Sequence, residues 1–136
     1  MSKIEVLYIS DLRTEANHVD SGDHILTDAP KDNMGQGEAF SPTDLFATAL
    51  GSCMLTIMGI SANTQNINID GSKVFINKLM GTGPRRIIAI DLVFDIKGKL
   101  TDKQKTILIK SAKHCPVSKS IHPDIKETIK FNFLGS

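Results

Sequence analysis

Ser41-Pro42-Thr43-Asp44-Leu45-Phe46-Ala47-Thr48-Ala49-Leu50-Gly51-Ser52-Cys53 is the stretch from which the fold is read. Ser41 is suited to cap a helix, Pro42 to occupy its first position, and Asp44, three residues after the cap, to accept from the orphan N–H groups of the first turn. No charged residue occurs from Leu45 to Ile69, so the spacing predicts one long helix from Pro42 to about Asn63. Only twelve of the eighteen residues from Leu45 to Ala62 are apolar, whereas a membrane span needs about 20 predominantly apolar ones. A buried helix is the better reading. Being apolar on nearly all sides, it belongs in the middle of the fold or at a subunit interface.

On its N-terminal side, Ile4–Ile9, Leu12–Val19 and His24–Asp28 alternate as strands, with Asp20-Ser21-Gly22-Asp23 as a turn, which gives a three-stranded antiparallel start. A loop of about a dozen residues, Ala29–Phe40, leads into the helix; loops of that length in compact domains are often functional. On its C-terminal side, Asn68–Met80 and Arg85–Lys97 form a long hairpin around Gly81-Thr82-Gly83-Pro84. Thr101 starts a second helix with Gln104 at its capping-box position. Cys115 precedes Pro116, which opens a short helix closed by His122-Pro123, and Ile125–Phe133 is a final strand. The pattern is α+β, and no repeat or linker divides it, so residues 1–136 read as a single domain.

The 136 residues, 40% hydrophobic and 23% charged, have ordinary globular composition. Sixteen basic and fifteen acidic residues leave a net charge of +1, which argues against a nucleic-acid partner. Six Phe, one Tyr and no Trp provide little for a base-stacking platform. The N-terminus does not resemble a secretory signal, since Glu5 interrupts its short apolar run; the expected compartment is the cytoplasm, with no membrane partner. There both thiols are reduced by default.

The two cysteines stand 62 positions apart, with no Cys-x-x-Cys or Cys/His spacing, so no metal site is expected. Cys53 lies too far into its helix for the N-terminal dipole to act on it, and taken alone it reads as a buried small hydrophobe. Cys115 opens a helix beside Lys113, His114 and Lys119, where a thiolate would be stabilised; a capping cysteine without reactivity is the alternative. Arginine is scarce: Arg13, Arg85 and Arg86 stand against thirteen Lys. A guanidinium near a buried cysteine would favour the thiolate, though each arginine taken singly reads as a solvated strand position.

The run from Ser41 to Cys53, together with His114-Cys115-Pro116-Val117-Ser118, resembles the two cysteine motifs of the OsmC/Ohr family, the osmotically inducible and organic hydroperoxide resistance proteins. The resemblance covers nearly the whole chain and the order of its elements. It implies an OsmC-like intertwined homodimer, with antiparallel sheets around long central helices and active sites built from both subunits. It implies Cys53 as the peroxidatic thiol, Cys115 as the resolving thiol, and Arg13, in Asp11-Leu12-Arg13-Thr14-Glu15, as the arginine that contacts the reactive sulfur from the partner subunit. The implied activity is reduction of organic hydroperoxides or hydrogen peroxide. The implied reductant is an external dithiol such as a lipoyl group, and no bound cofactor is implied.

One position departs from that pattern. Family peroxidases carry a glutamate directly after the motif proline, where it orients the arginine, and here that residue is Thr43. Asp44 does not replace it: nine residues at about 100° each turn the helix by about 900°, which sets Asp44 opposite Cys53 and roughly 13 Å along the axis. The sequence resembles a branch with Ser-Pro-x-acidic ahead of the helix. For such a chain the alternative is a non-catalytic dimeric module of the same fold that senses oxidants or binds a small ligand.

Overall fold

The computed structural model describes residues 3–135 and divides into two compact units, Met1–Phe46 and Ala47–Ser136. In the first, β1 (Ile4–Ser10), β2 (Arg13–His18) and β3 (His24–Asp28) form an antiparallel sheet in that order. Leu12 leaves the predicted second strand for the turn: Asp11 and Leu12 both take positive φ, 53° and 64°, as a two-residue hairpin connection requires. Gly22, at φ 76°, closes the next turn by donating to the His18 carbonyl at 2.8 Å. Every residue of β1 is exposed, so this edge strand presents Ile4, Val6, Leu7, Tyr8 and Ile9 on both of its faces.

The loop from Ala29 to Phe40 folds back on itself. A single 3-10 turn, Lys31–Asn33, is followed by Gly35 N–H donating to the Pro30 carbonyl at 2.9 Å and Gly37 N–H to the Ala29 carbonyl at 3.1 Å. A Cβ on Gly35 would lie 1.7 Å from the Ala29 carbonyl oxygen, so only glycine lets the two backbones approach this closely. Asp28 N–H donates to the Phe40 carbonyl at 3.0 Å, and Thr27 bridges Phe40 in parallel.

Helix α1 (Pro42–Thr64) follows, with the expected cap. Ser41 Oγ accepts from Asp44 N–H at 3.0 Å while Ser41 N–H donates to Asp44 Oδ2 at 3.0 Å, a reciprocal arrangement that satisfies two orphan donors. The chain buries one face of the helix: Ala47, Leu50, Gly51, Met54, Met58 and Ala62. At Gly51 the helix approaches the sheet so closely that a Cβ would stand 2.4 Å from Ile76 Cδ1. The opposite face, with Ala49, Thr56 and Ile60, is exposed, so the all-round burial expected from its composition is not achieved within one chain.

In the second unit β4 (Lys73–Gly81), β5 (Arg86–Ile96) and β6 (Lys126–Phe133) form a sheet in that order. β4 starts later than the alternation suggested, because Asn68 Oδ1 accepts from Asp70 N–H at 2.7 Å and the chain turns there, a local side-chain bond that competes with the strand ladder. Of the expected antiparallel sheets this one is mixed: β5 pairs antiparallel with β4 but parallel with β6. The reason is the connection. Helices α2 (Asp102–Ala112) and α3 (Pro116–Ser120) cross between β5 and β6, and a helical crossover returns the chain in the same direction. Thr101 and Gln104 form the capping box of α2. The core joins Leu50, Met54 and Met58 of α1 to Ile90, Leu92, Phe94 and Ile96 of β5 and to Leu108, Ala112 and Cys115.

Candidate functional site

Cys53 and Cys115 come together in the second unit. Cys53 sits on α1 about 120° around from the centre of its buried face at 100° per residue, packs against the core and remains partly exposed. Cys115 is fully buried at the N-cap of α3. Its Sγ accepts from Ser118 N–H at 3.4 Å, and Ser118 Oγ donates to the Glu127 carboxylate at 2.9 Å, which ties the first turn of α3 to β6.

The expected stabilisation of a Cys115 thiolate is overturned. Burial pushes the Cys115 thiol up from its usual 9.0, and a hydrogen bond with Cys53 pushes it the same way, against smaller downward pulls from the Ser118 and Val117 amides. The neighbouring Lys113, His114 and Lys119 are exposed to solvent, where water screens their charge, and a five-residue helix supplies little dipole. Both of the larger influences, burial and the neighbouring Cys53, favour the protonated form of Cys115.

The sign of this shift gives a stability test. A folded-state value above the unfolded one means that the native chain holds the proton more tightly, so the contribution is complete below 9.0 and is lost as pH rises through the raised value. The urea midpoint should fall faster above about pH 9 in wild type than in Cys115→Ser. Parallel curves would contradict the assignment.

Arg13 belongs to the first unit, where two carboxylates hold it. Its Nη2 lies 2.6 Å from Glu38 Oε2 and 3.7 Å from Asp28 Oδ2. Asp28 is 1% exposed and its Oδ2 accepts from Glu38 N–H at 3.0 Å. Sequence reasoning missed Asp28, Glu38 and Glu127, because each contributes through a contact between residues distant in sequence. Thr43 is engaged beside the helix cap, its Oγ1 3.1 Å from Ser41 Oγ. Arg85 lies in the turn before β5 and Arg86 opens the strand, where its Nη1 donates to the Thr82 and Pro84 carbonyls at 3.0 and 2.8 Å.

The family model for OsmC-like proteins matches residues 35–130. Among solved structures, a Psychrobacter arcticus protein, for which an osmotic stress and detoxification response has been suggested, is 47% identical, with 97% of this chain and 96% of that one covered and a TM-score of 0.93. An OsmC-like protein of Mycoplasma pneumoniae shares the fold at 18% identity, with 98% and 97% covered and a TM-score of 0.81. An organic hydroperoxide resistance protein of Elizabethkingia anophelis does so at 16% identity, with 98% of each chain covered and a TM-score of 0.75. No match is found among the curated proteins. A family model spanning most of the chain, and a relative of nearly half identical sequence over almost its whole length, establish that this chain belongs to the OsmC-like protein family.

Proposed function

We propose that the protein is a thiol-dependent peroxidase that reduces organic hydroperoxides or hydrogen peroxide. The observation that carries this reading is the unequal thiol pair: a partly exposed Cys53 and, near enough to act on one another, a fully buried Cys115. The Cys53 thiolate attacks the distal oxygen of the hydroperoxide, the O–O bond breaks, and the alkoxide takes a proton and departs as an alcohol. Cys53 is left as a sulfenic acid. The Cys115 sulfur then attacks the Cys53 sulfur, its proton leaves with the hydroxide as water, and a disulfide closes. An external dithiol, a lipoyl group being one such reductant, returns two electrons and two protons by thiol–disulfide exchange. The chemistry calls for no metal or bound cofactor and suits the cytoplasm, where dithiol reductants are maintained.

The working form is a homodimer in this reading. The uncovered face of α1, where Ile60 is 59% exposed, and the open apolar edge strand β1 are surfaces that a soluble chain ordinarily covers. A second copy would also supply Arg13 of the partner subunit to Cys53, as the family resemblance implies. The alternative, a dimeric sensor or small-ligand module, is favoured by Thr43 in the position of the family glutamate.

Turnover separates the two. Reduced protein with excess dithiol and an organic hydroperoxide should consume many equivalents per subunit. Consumption that stops at one equivalent would leave the sensor reading standing.

A further inference from the structure

We propose that Glu38, seated by Asp28, is the positioning residue of Arg13 and takes over the orienting task that Thr43 cannot perform. The inference rests on the reading of Arg13 as the group that acts on Cys53. Three observations carry it. The Arg13–Glu38 contact, at 2.6 Å, is a short charge-assisted hydrogen bond, directional at the guanidinium edge. The Glu38 backbone is fixed independently of its side chain, because its N–H donates to Asp28 Oδ2 and Gly37 just before it donates to the Ala29 carbonyl. Asp28 is a buried carboxylate whose Oδ1 takes no hydrogen bond among the described residues, so removing the Arg13 charge from its neighbourhood would leave an uncompensated buried anion.

The two carboxylates thus divide the work. Asp28 is inside the unit and cannot follow the guanidinium if it swings out; it holds the loop and the local charge balance. Glu38, with its side chain 63% exposed, sets the direction of Nη2 while leaving 40% of the Arg13 side chain open. A threonine hydroxyl near the helix cap has no charge to offer a guanidinium. A glutamate five residues earlier, carried on a loop braced by Gly35 and Gly37, does.

The test measures alkylation of Cys53 by neutral iodoacetamide at pH 7, resolved from Cys115 by peptide mapping, in the full chain and in Glu38→Gln, Arg13→Ala and the double variant. Glu38 acting merely as a nearby negative charge disfavours the thiolate, so its removal would speed alkylation. Glu38 acting to aim Arg13 gives the opposite sign: Glu38→Gln slows Cys53 alkylation by roughly three- to tenfold, on the scale of one lost member of an ion network. Arg13→Ala slows it at least as much, and the double variant matches Arg13→Ala. A rate in Glu38→Gln that is unchanged or faster, with Arg13→Ala slow, overturns the positioning role and leaves Arg13 in its place. A rate in Arg13→Ala equal to wild type overturns both. The exposed Glu38 side chain makes a folding failure of Glu38→Gln easy to recognise, by a circular dichroism spectrum unlike wild type.

Discussion

Replacing Cys53 by serine is expected to reduce steady-state hydroperoxide consumption to the rate of protein-free buffer, a fall of at least about 10⁴-fold if deletion of a nucleophile costs here what it does in hydrolases. A serine hydroxyl in the same place on α1 is not ionised at neutral pH and has no adjacent base to ionise it, whereas a thiol reaches a useful thiolate fraction. Cys115→Ser separates the steps. With Cys53 intact, one equivalent of peroxide should be consumed and the oxidised sulfur should persist as a sulfenic acid that a dimedone-type reagent captures, detected by intact mass. Residual turnover in Cys53→Ser would move the chemistry away from the thiol pair. Full turnover in Cys115→Ser would mean that the external thiol resolves Cys53 directly and that Cys115 serves only to cap α3.

Phe94→Ala should produce the largest loss of stability from a single truncation in the core. Phe94 is 0% exposed near the C-terminal end of β5. Its ring stacks on Phe131 at a centroid separation of 4.9 Å, and Phe131 in turn lies 6.4 Å from Phe133. Parallel register brings this about, because Phe94 pairs with Phe131 across the β5–β6 ladder and Val74 faces it from β4. Truncation removes apolar burial, leaves a cavity under α1 and breaks the aromatic pair, at a cost of about 3–5 kcal/mol. Against a total of about 5–15 kcal/mol for a domain, this moves the urea midpoint substantially. The comparison should be made at one protein concentration, since a second copy bound to the native form adds to apparent stability. A loss below about 1 kcal/mol would show that the site collapses around the smaller side chain.

Much of this architecture is legible in local chemistry. The Ser41–Asp44 and Thr101–Gln104 boxes, Pro42 and Pro116 at helix starts, and the glycine at the Asp20–Asp23 turn act within four residues of one another, and each has the geometry that its residue types suggest. The parallel direction of β6 is not legible, because alternation in Lys126–Phe133 is the same whichever way the strand runs and only the packing of α2 and α3 decides it. The ionisation of Cys115 is not legible for a related reason. Its basic neighbours are visible in sequence, while the burial that dominates them arises from Leu108, Ala112 and residues of other elements. The carboxylates of Arg13 lie 15 and 25 residues away, joined by a loop whose path depends on two glycines, and no periodicity announces such a meeting.

The late return of β6 bears on how the chain assembles. The β4–β5 hairpin closes over four residues, 82–85, whereas pairing β5 with β6 must span 29 residues, 97–125. Three doublings of loop length cost about 2 kcal/mol of additional closure entropy, so contact order places docking of the C-terminal strand after the hairpin. Glu127 on that strand is the residue that ties down α3. Until it arrives, Ser118 lacks the carboxylate that fixes it, and the turn that carries Cys115 is not yet tied to the sheet. The C-terminal strand thus acts as the closure that fixes the short helix capped by Cys115, and a chain truncated before Lys126 would retain both cysteines but lose the Glu127 carboxylate that holds Ser118.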